Sequence, residues 1–162
     1  MMGQVRNHPP AMLLCALISR HQPALAWAQQ RIATTWGPIV ATSPEFYFTE
    51  TEYYRSSMGP DLRKQFVAIQ GPFDPAQLAD VKLTTNRWEQ DYAATHPDPF
   101  PRPLNLDPGY LTEAKLVLAT TKDRDHRIYL HSGIFAEITL HYHGGRWQPS
   151  RWTYPDYQRA DY

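Results

Sequence analysis

The sequence predicts a single α+β domain, with a ferredoxin-like βαββαβ core extended by a C-terminal antiparallel β-meander. The segments follow the order strand, helix, strand, strand, helix, strand, and the clearest β alternation comes after them. With 162 residues and a hydrophobic content of 42%, the chain can bury a sizeable core. We assign residues 11–162 to this domain and the polar, proline-rich residues 1–10 to a flexible N-terminal arm.

The first strand and helix are strongly patterned. Residues 12–19 form a continuous apolar run, which indicates a central strand. Pro23 then opens a helix that ends at Gly37 and Pro38. The apolar residues of this helix fall on one face: Leu25, Ala28, Ile32 and Trp36.

The next segments are less regular. Residues 39–49 are rich in β-formers, but Pro44 restricts them to an edge strand or a bulged strand. Residues 50–60 indicate a helical turn or a loop, and residues 63–70 indicate another strand.

The second helix has a clear start signal. Asp74 is the predicted N-cap, Pro75 occupies the first turn, and Gln77 completes a capping box. The predicted buried face consists of Leu78, Val81, Thr85, Trp88 and Tyr92. The opposite, solvated face carries Asp80, Arg87 and Asp91.

Two segments that follow the second helix are harder to assign. The proline-dense residues 96–110 predict an ordered loop with a short strand near residues 104–106. Residues 111–120 suit either a short helix capped by Thr112 or a strand around Val117, and we favour the helix.

Residues 126–148 carry the meander, and the length of its first loop decides which side chains share a face. A two-residue turn at 132–133 would mix apolar and polar residues. A three-residue loop with Gly133 in the left-handed conformation separates them, and we favour it. The apolar face is then Ile128, Leu130, Ile134, Ala136, Ile138, Leu140 and Tyr142. The other face is Arg127, Tyr129, Phe135, Glu137, Thr139, His141 and His143.

The same register pairs residues across strands. Arg127 falls opposite Glu137, Tyr129 opposite Phe135, and Tyr142 opposite Trp147 beyond a Gly-Gly turn. Arg127 and Glu137 then suit an ion pair on an exposed sheet face. A second interpretation adds Lys122, which could hold a phosphate or carboxylate together with Arg127. In that case His126 or Glu137 would act as general acid or base.

Other classes of site have weaker support. Glu137, His141 and His143 alternate on one predicted strand face, but His143 adjoins the Gly-Gly turn, where histidines are commonly solvated. We therefore predict no metal and no cofactor. The chain contains no Gly-rich phosphate loop, dinucleotide fingerprint or nucleophile elbow.

Composition narrows the partners and the compartment. Sixteen basic and sixteen acidic residues give zero formal charge, which disfavours nucleic acid and anionic membranes. No apolar stretch is long enough to span a bilayer. The single cysteine, Cys15, lies in an apolar run and favours a reduced cytoplasm.

Long stretches of the chain resemble one bacterial family. They read LDPGYLTEAKLVLATTKDRDHRIYL, GIFAEITL and WTYPDY, with TEYYRSSMGPDLRKQF and VKLTTNRWE earlier. The family is catalogued as domain of unknown function 4416, and the resemblance covers about residues 13–157. It implies no established activity, cofactor or catalytic residue. Some relatives carry the label "GTP-binding protein", which this chain does not support because it lacks a phosphate loop.

The resemblance also bears on the choice of site. The family's motifs include the positions of Lys115, Lys122, Asp123, His126, Arg127, Tyr129, Glu137 and Asp156. We predict His126 and Glu137 as catalytic candidates and the other six as ligand-binding residues. The segment 152–157 suits a C-terminal clasp over the core, or a pocket wall in which Asp156 pairs with Arg127 or Lys122.

These observations favour a cytoplasmic protein that binds a small anionic ligand, and they leave open whether it catalyses a reaction. The alternative is an RNA- or protein-binding module without catalysis, in which Tyr129 and Phe135 would provide a stacking surface.

Overall fold

A computed structural model describes residues 2–50 and 52–162. Met1 and Thr51, which belong to the predicted arm and to the predicted loop at 50–60, lie outside the described residues. Residues 2–10 are exposed and belong to no helix or strand. The boundary of the arm at residue 10 stays a prediction.

Nine strands and three α-helices make up the described chain. The strands are β1 Met12–Ser19, β2 Ile39–Thr42, β3 Phe46–Tyr47, β4 Arg63–Ile69, β5 Asn105–Leu111, β6 Lys115–Thr120, β7 Ile128–His131, β8 Ile134–His143 and β9 Arg146–Pro149. The helices are α1 Gln22–Trp36, α2 Arg55–Met58 and α3 Leu78–Thr95. Single 3₁₀ turns occupy Glu52–Tyr54, Pro75–Gln77 and Pro155–Gln158.

All nine strands join one sheet, and every neighbouring pair is antiparallel. The strand order is β2-β4-β1-β5-β6-β8-β7, with β3 beside β4 and β9 beside β8. The predicted α+β class and single domain are confirmed. The ferredoxin-like description of the core stays a prediction, with the strand-helix-strand-strand-helix-strand element order as its support.

Helices α1 and α3 pack side by side on one face of the sheet. The ring centroids of Trp36 and Trp88 are 4.9 Å apart, and those of Trp27 and Tyr92 are 5.0 Å apart. The predicted apolar face of α3 is buried, as is that of α1 apart from half-buried Trp36. Hydrophobic burial at helical spacing therefore explains why both helices could be predicted.

The start of the second helix differs in detail from the prediction. The Asp74 carboxylate accepts a hydrogen bond from the Ala76 amide at 3.0 Å, so the predicted cap is present. The first turn is a 3₁₀ turn, Pro75–Gln77. Among the described residues, the Gln77 side chain makes no hydrogen bond back to the Asp74 amide, so the capping box is incomplete.

The assignment of residues 111–120 to a helix is wrong. Residues 115–120 form β6, which lies between β5 and β8. Strand neighbours on both sides let the apolar run around Val117 be buried on both faces, which outweighs its local helix preference. Thr112 instead caps the β5–β6 turn, where its hydroxyl accepts hydrogen bonds from the amides of Ala114 and Lys115.

The predicted three-residue loop at 131–133 is also wrong, although the pairing beyond it is confirmed. Ser132 and Gly133 form a two-residue turn with φ of 52° and 77°. An irregularity between Tyr129 and His131 compensates for the shorter turn, so Tyr129 still pairs with Phe135. Tyr142 pairs with Trp147 as predicted.

A second irregularity, in β8, changes the predicted faces. Leu118 pairs with Glu137, whereas Leu116 pairs with Leu140, so β8 has one extra residue near Thr139. Leu140 and Tyr142 therefore share the face of Glu137, while His141 and His143 lie on the opposite face. The alternation of Glu137, His141 and His143 on one face, which the metal hypothesis required, is broken.

Strands β5 and β6 separate along half of β5. Among the described residues they pair only from Gly109 to Leu111. The free main-chain groups of Leu106 are bound by α3 instead. The Leu106 amide donates to Glu89 Oε1 at 2.8 Å, and the Leu106 carbonyl accepts from Lys82 Nζ at 2.8 Å. These bonds satisfy buried polar groups that would otherwise have no partner.

Gly109 marks the point where the two strands meet. A Cβ atom at this position would collide with the Val117 carbonyl oxygen and lie 2.7 Å from Leu118 Cδ2. We expect Gly109→Ala to lower the free energy of unfolding by about 1–3 kcal/mol through overpacking. Urea denaturation followed by circular dichroism measures this loss. Gly3→Ala, where nothing lies within 4 Å, is the control, and equal stability of the two variants would contradict the prediction.

Candidate functional site

A cavity of about 630 Å³ lies on the sheet face opposite α1 and α3. The register of the strands builds its floor. Lys64 on β4 is paired to Ile18 on β1, which is paired in turn to Asn105 on β5. Leu118 and Glu137 continue the same face on β6 and β8. Two rows of side chains on the same sheet face, Lys64–Ile18–Asn105 and Leu118–Glu137, thus form a floor that is partly polar and partly apolar.

Two chain segments cover this floor. Phe48, Tyr53 and Tyr54 contribute from the stretch between β3 and β4, and Trp152 and residues 154–157 contribute from the C-terminal segment. The cavity also reaches α3 through the separation between β5 and β6, where Lys82, Asn86 and Glu89 line it. We call this buried part the inner end, and the exposed part lined by Lys122, Arg124 and Tyr53 the mouth.

Glu137 is the centre of a buried hydrogen-bonded cluster. Its side chain is 2% exposed, and that of Arg127 is 4% exposed. Arg127 Nε donates to Glu137 Oε2 at 2.7 Å. The two other guanidinium nitrogens donate to the Lys122 carbonyl at 2.8 Å and to the Tyr154 hydroxyl at 3.0 Å. The prediction of an exposed ion pair is therefore wrong, because the C-terminal segment covers this part of the sheet.

The surroundings of Arg127 keep it charged. Burial acts to lower its pKa, but the hydrogen bond and charge of Glu137, with a further contribution from Tyr154, outweigh burial and raise the pKa above its ordinary value. The guanidinium is thus a permanent cation whose three contacts hold it in one orientation.

His126 lies between two carboxylates. Its Nε2 atom is 3.1 Å from Glu137 Oε2, and its Nδ1 atom is 3.2 Å from Asp125 Oδ1. Carboxylates only accept hydrogen bonds, so each of these contacts requires a proton on the ring nitrogen that makes it. The ring also stacks on Trp152, with centroids 5.1 Å apart and an interplanar angle of 11°.

Two cations at the mouth have no acidic partner among the described residues. Lys122 Nζ donates to the Tyr53 hydroxyl, and this hydrogen bond lowers the pKa of Tyr53. Arg124 donates to the carbonyl of Asp123 at 3.1 Å. Both side chains are exposed, so their charge is available to a ligand.

The inner end holds charges that are paired one to one. Lys82 Nζ is 3.3 Å from Asp107 Oδ1, and Arg102 is 3.3 Å from Glu89. Burial acts to raise the pKa of Asp107, but the ammonium groups of Lys82 and Lys64 and a hydrogen bond from Asn105 lower it overall. Burial raises the pKa of Glu89 despite the nearby cations.

Five of the eight predicted site residues line the cavity: Lys122, His126, Arg127, Glu137 and Asp156. The predicted partner of Asp156 is wrong, because Asp156 pairs with Lys64. Among the described residues, Asp156 forms its ion pair with Lys64 of β4 and none with Arg127 or Lys122.

The other three predicted residues lie outside the cavity lining. Lys115 pairs with His141 at the far end of β6. Asp123 is exposed. Tyr129 is 58% exposed and packs edge-on against Phe135, with centroids 5.3 Å apart.

The sequence analysis did not predict Lys64 or the residues at the inner end of the cavity. Lys64 alternates with Phe66 and Ala68 on one face of a strand, which is a signal for a buried cation. Lys82 and Glu89 are seven residues apart and therefore share a helix face beside the apolar one. No comparable signal indicates Arg102 or Asp107, which follow the helix in a proline-dense segment.

Two further classes of feature are absent from the described ranges. Within residues 2–50 and 52–162, no group of three or more His, Cys, Asp or Glu side chains is arranged to hold a metal ion. No helix in these ranges combines the length and the hydropathy needed to cross a membrane.

Comparisons with known proteins place the chain in a family. Residues 9–162 match the sequence model of the family described as "Domain of unknown function (DUF4416)". The match extends over nearly the whole chain, including every residue of the cavity lining. No curated protein and no solved structure matches the chain.

Proposed function

We propose that this chain, which belongs to the DUF4416 family, binds a small phosphate- or carboxylate-bearing ligand in the cavity. One observation carries the proposal. Lys122 and Arg124 lack acidic partners among the described residues, and they lie beside an Arg127 guanidinium that Glu137 holds in place. A carboxylate or a phosphate would supply the missing counter-charge.

The charge balance of the cavity supports an anionic ligand. The lining contains six Lys and Arg side chains: Lys64, Lys82, Arg102, Lys122, Arg124 and Arg127. It contains five carboxylates: Glu50, Glu89, Asp107, Glu137 and Asp156. Glu50 is bound by Arg159, which lies outside the lining, at 2.7 Å. Four carboxylates therefore remain for six cations. The two cations without a carboxylate partner, Lys122 and Arg124, are at the mouth.

The contacts of Glu137 favour a positioning role for this residue. Its Oε2 atom already accepts a hydrogen bond from Arg127 and faces His126, so both neighbours fix the orientation of the side chain. A carboxylate held in this way orients the guanidinium for a ligand. General acid or base catalysis by His126 and Glu137 stays a prediction, as does the cytoplasmic location.

Exposed apolar side chains favour a second candidate function, which is binding to another protein. Ile128 and Tyr129 on β7 are 70% and 58% exposed, and Trp147 on β9 is 41% exposed. Exposed aromatic and aliphatic side chains of this kind can contribute to protein interfaces when a partner covers them. These side chains lie outside the cavity lining, so mutations at the mouth would leave such binding unchanged.

Isothermal titration calorimetry with inorganic phosphate and with citrate tests the proposed function. We expect the double variant Lys122→Met, Arg124→Gln to bind at least about tenfold more weakly than wild type, because each charge-assisted hydrogen bond contributes about 1.5–3 kcal/mol. Both side chains are exposed, so the variant should keep the stability of the wild type.

Arg87→Gln provides the matched control. Arg87 is an exposed cation on α3 that does not line the cavity. This control separates site binding from a general effect of net charge. The proposal fails if neither these two anions nor phosphate esters bind the wild type, or if Arg87→Gln weakens binding as much as the double variant.

A further inference from the structure

We infer that the ligand has two chemically different ends: an anionic group at the mouth and an uncharged, hydroxyl-bearing part at the inner end. The inference rests on the proposed function and specifies its ligand class. Phosphorylated sugars and phosphorylated polyols have this combination of groups. The argument uses the size of the cavity, its charge distribution and its unpaired neutral polar groups.

The size of the cavity exceeds the needs of a simple anion. A volume of about 630 Å³ falls within the range of about 300–1,000 Å³ that is typical of sites for small organic molecules. A water molecule occupies about 30 Å³ in the liquid, and inorganic phosphate is only a few times larger. A ligand that fills the cavity must therefore extend from the mouth toward α3.

The charges at the inner end argue against a second anionic group there. Away from the mouth, the cations of the floor and of the inner end already have carboxylate partners: Lys64 has Asp156, Lys82 has Asp107, and Arg102 has Glu89. A further buried charge would have to displace one of these partners or stay unpaired, and either outcome is unfavourable. The inner part of the ligand is therefore uncharged.

Two neutral polar groups in the lining are available to this part of the ligand. Neither the Tyr54 hydroxyl nor the Asn86 side-chain amide makes a hydrogen bond to another described residue. Asn86 lies one helical turn after Lys82 on α3, so it belongs to the inner end. An amide and a hydroxyl together offer donors and acceptors, which suits the hydroxyl groups of a ligand.

The Tyr54 hydroxyl stays protonated and can therefore donate a hydrogen bond. Burial raises the pKa of Tyr54 well above its ordinary value, with a smaller contribution in the same direction from Asp107. Its ring packs against Phe48 at 5.7 Å, and the Arg102 guanidinium lies 5.8 Å from the ring centroid. The hydroxyl is therefore both protonated and fixed in position, as a specificity-determining group requires.

Calorimetric titration of the full chain with four probes tests the inference. The probes are inorganic phosphate, glycerol 3-phosphate, glucose 6-phosphate and citrate. We expect the two phosphate esters to bind wild type at least tenfold more tightly than inorganic phosphate does. Tyr54→Phe and Asn86→Ala should each reduce that preference several-fold while leaving the affinity for inorganic phosphate unchanged. Tyr142→Phe, an exposed residue outside the cavity, is the control.

The outcomes separate this inference from the proposed function. Equal affinities for inorganic phosphate and for both esters would overturn the inference alone, as would a preference for citrate. Unchanged ester preference in Tyr54→Phe and Asn86→Ala, both folded by circular dichroism, would also overturn it. Absence of binding by all four probes would overturn the proposed function as well.

Discussion

Arg127→Ala is expected to lower the free energy of unfolding by about 3–5 kcal/mol, because it leaves the buried Glu137 carboxylate without its main partner. His126 compensates only in part, since it is a single contact at 3.1 Å. The guanidinium also joins the β6–β7 loop to the C-terminal segment through the Lys122 carbonyl and the Tyr154 hydroxyl. Urea denaturation at neutral pH, followed by circular dichroism, measures the loss.

A matched surface pair provides the control for this experiment. Arg55 and Glu52 also form an ion pair, but their side chains are 68% and 80% exposed. Arg55→Ala should cost less than about 1 kcal/mol. The double variant Arg127→Met, Glu137→Leu should recover much of the lost stability, because no buried charge then stays unpaired. If Arg127→Ala costs no more than Arg55→Ala, the Glu137 cluster is not a stabilising element.

Lys64→Ala is the second substitution for which we expect a loss of about 3–5 kcal/mol. The ammonium group pairs with Asp156, and the two side chains are only 3% and 5% exposed. It also lies within 6 Å of the ring centroids of four aromatic residues: Phe48, Phe66, Tyr157 and Tyr162. Such cation–π contacts contribute about 2 kcal/mol or more when they are desolvated.

The neighbouring residue on the same strand is the control for Lys64. Arg63 pairs with Glu45 on the opposite face of β4, and its side chain is 41% exposed. Arg63→Ala should cost about 1 kcal/mol or less. Because Asp156 belongs to the C-terminal segment, Lys64→Ala should also speed proteolytic cleavage after residue 150. Equal stability and equal cleavage rates in the two variants would show that Lys64 does not hold this segment.

Local periodicity was sufficient to predict the two long helices and the first strand. The apolar faces of α1 and α3 repeat at helical spacing, and β1 is a continuous apolar run, so each signal lies within one segment. Residues 115–120 were misassigned because the sequence of a short apolar run does not show which strands will lie beside it. The decisive fact, that β5 and β8 flank this run, depends on residues that are distant in sequence.

The distance in sequence between partner residues also explains which parts of the site could be predicted. Arg127 and Glu137 are ten residues apart across one hairpin, so a register argument could pair them. Lys64 and Asp156 are 92 residues apart, and no pattern in either segment indicates the other. The burial of Glu137 also could not be predicted, because it depends on how the C-terminal segment folds back over the sheet.

The separation of β5 from β6 has a genetic consequence. Main-chain hydrogen bonds between strands are nearly insensitive to mutation, because every residue except proline carries the same amide and carbonyl groups. At Leu106 those partners are the side chains of Lys82 and Glu89. A single amino-acid substitution in α3, at Lys82 or Glu89, can therefore remove a hydrogen bond of the sheet. Elsewhere in the sheet, the main chain of any residue except proline supplies such a bond.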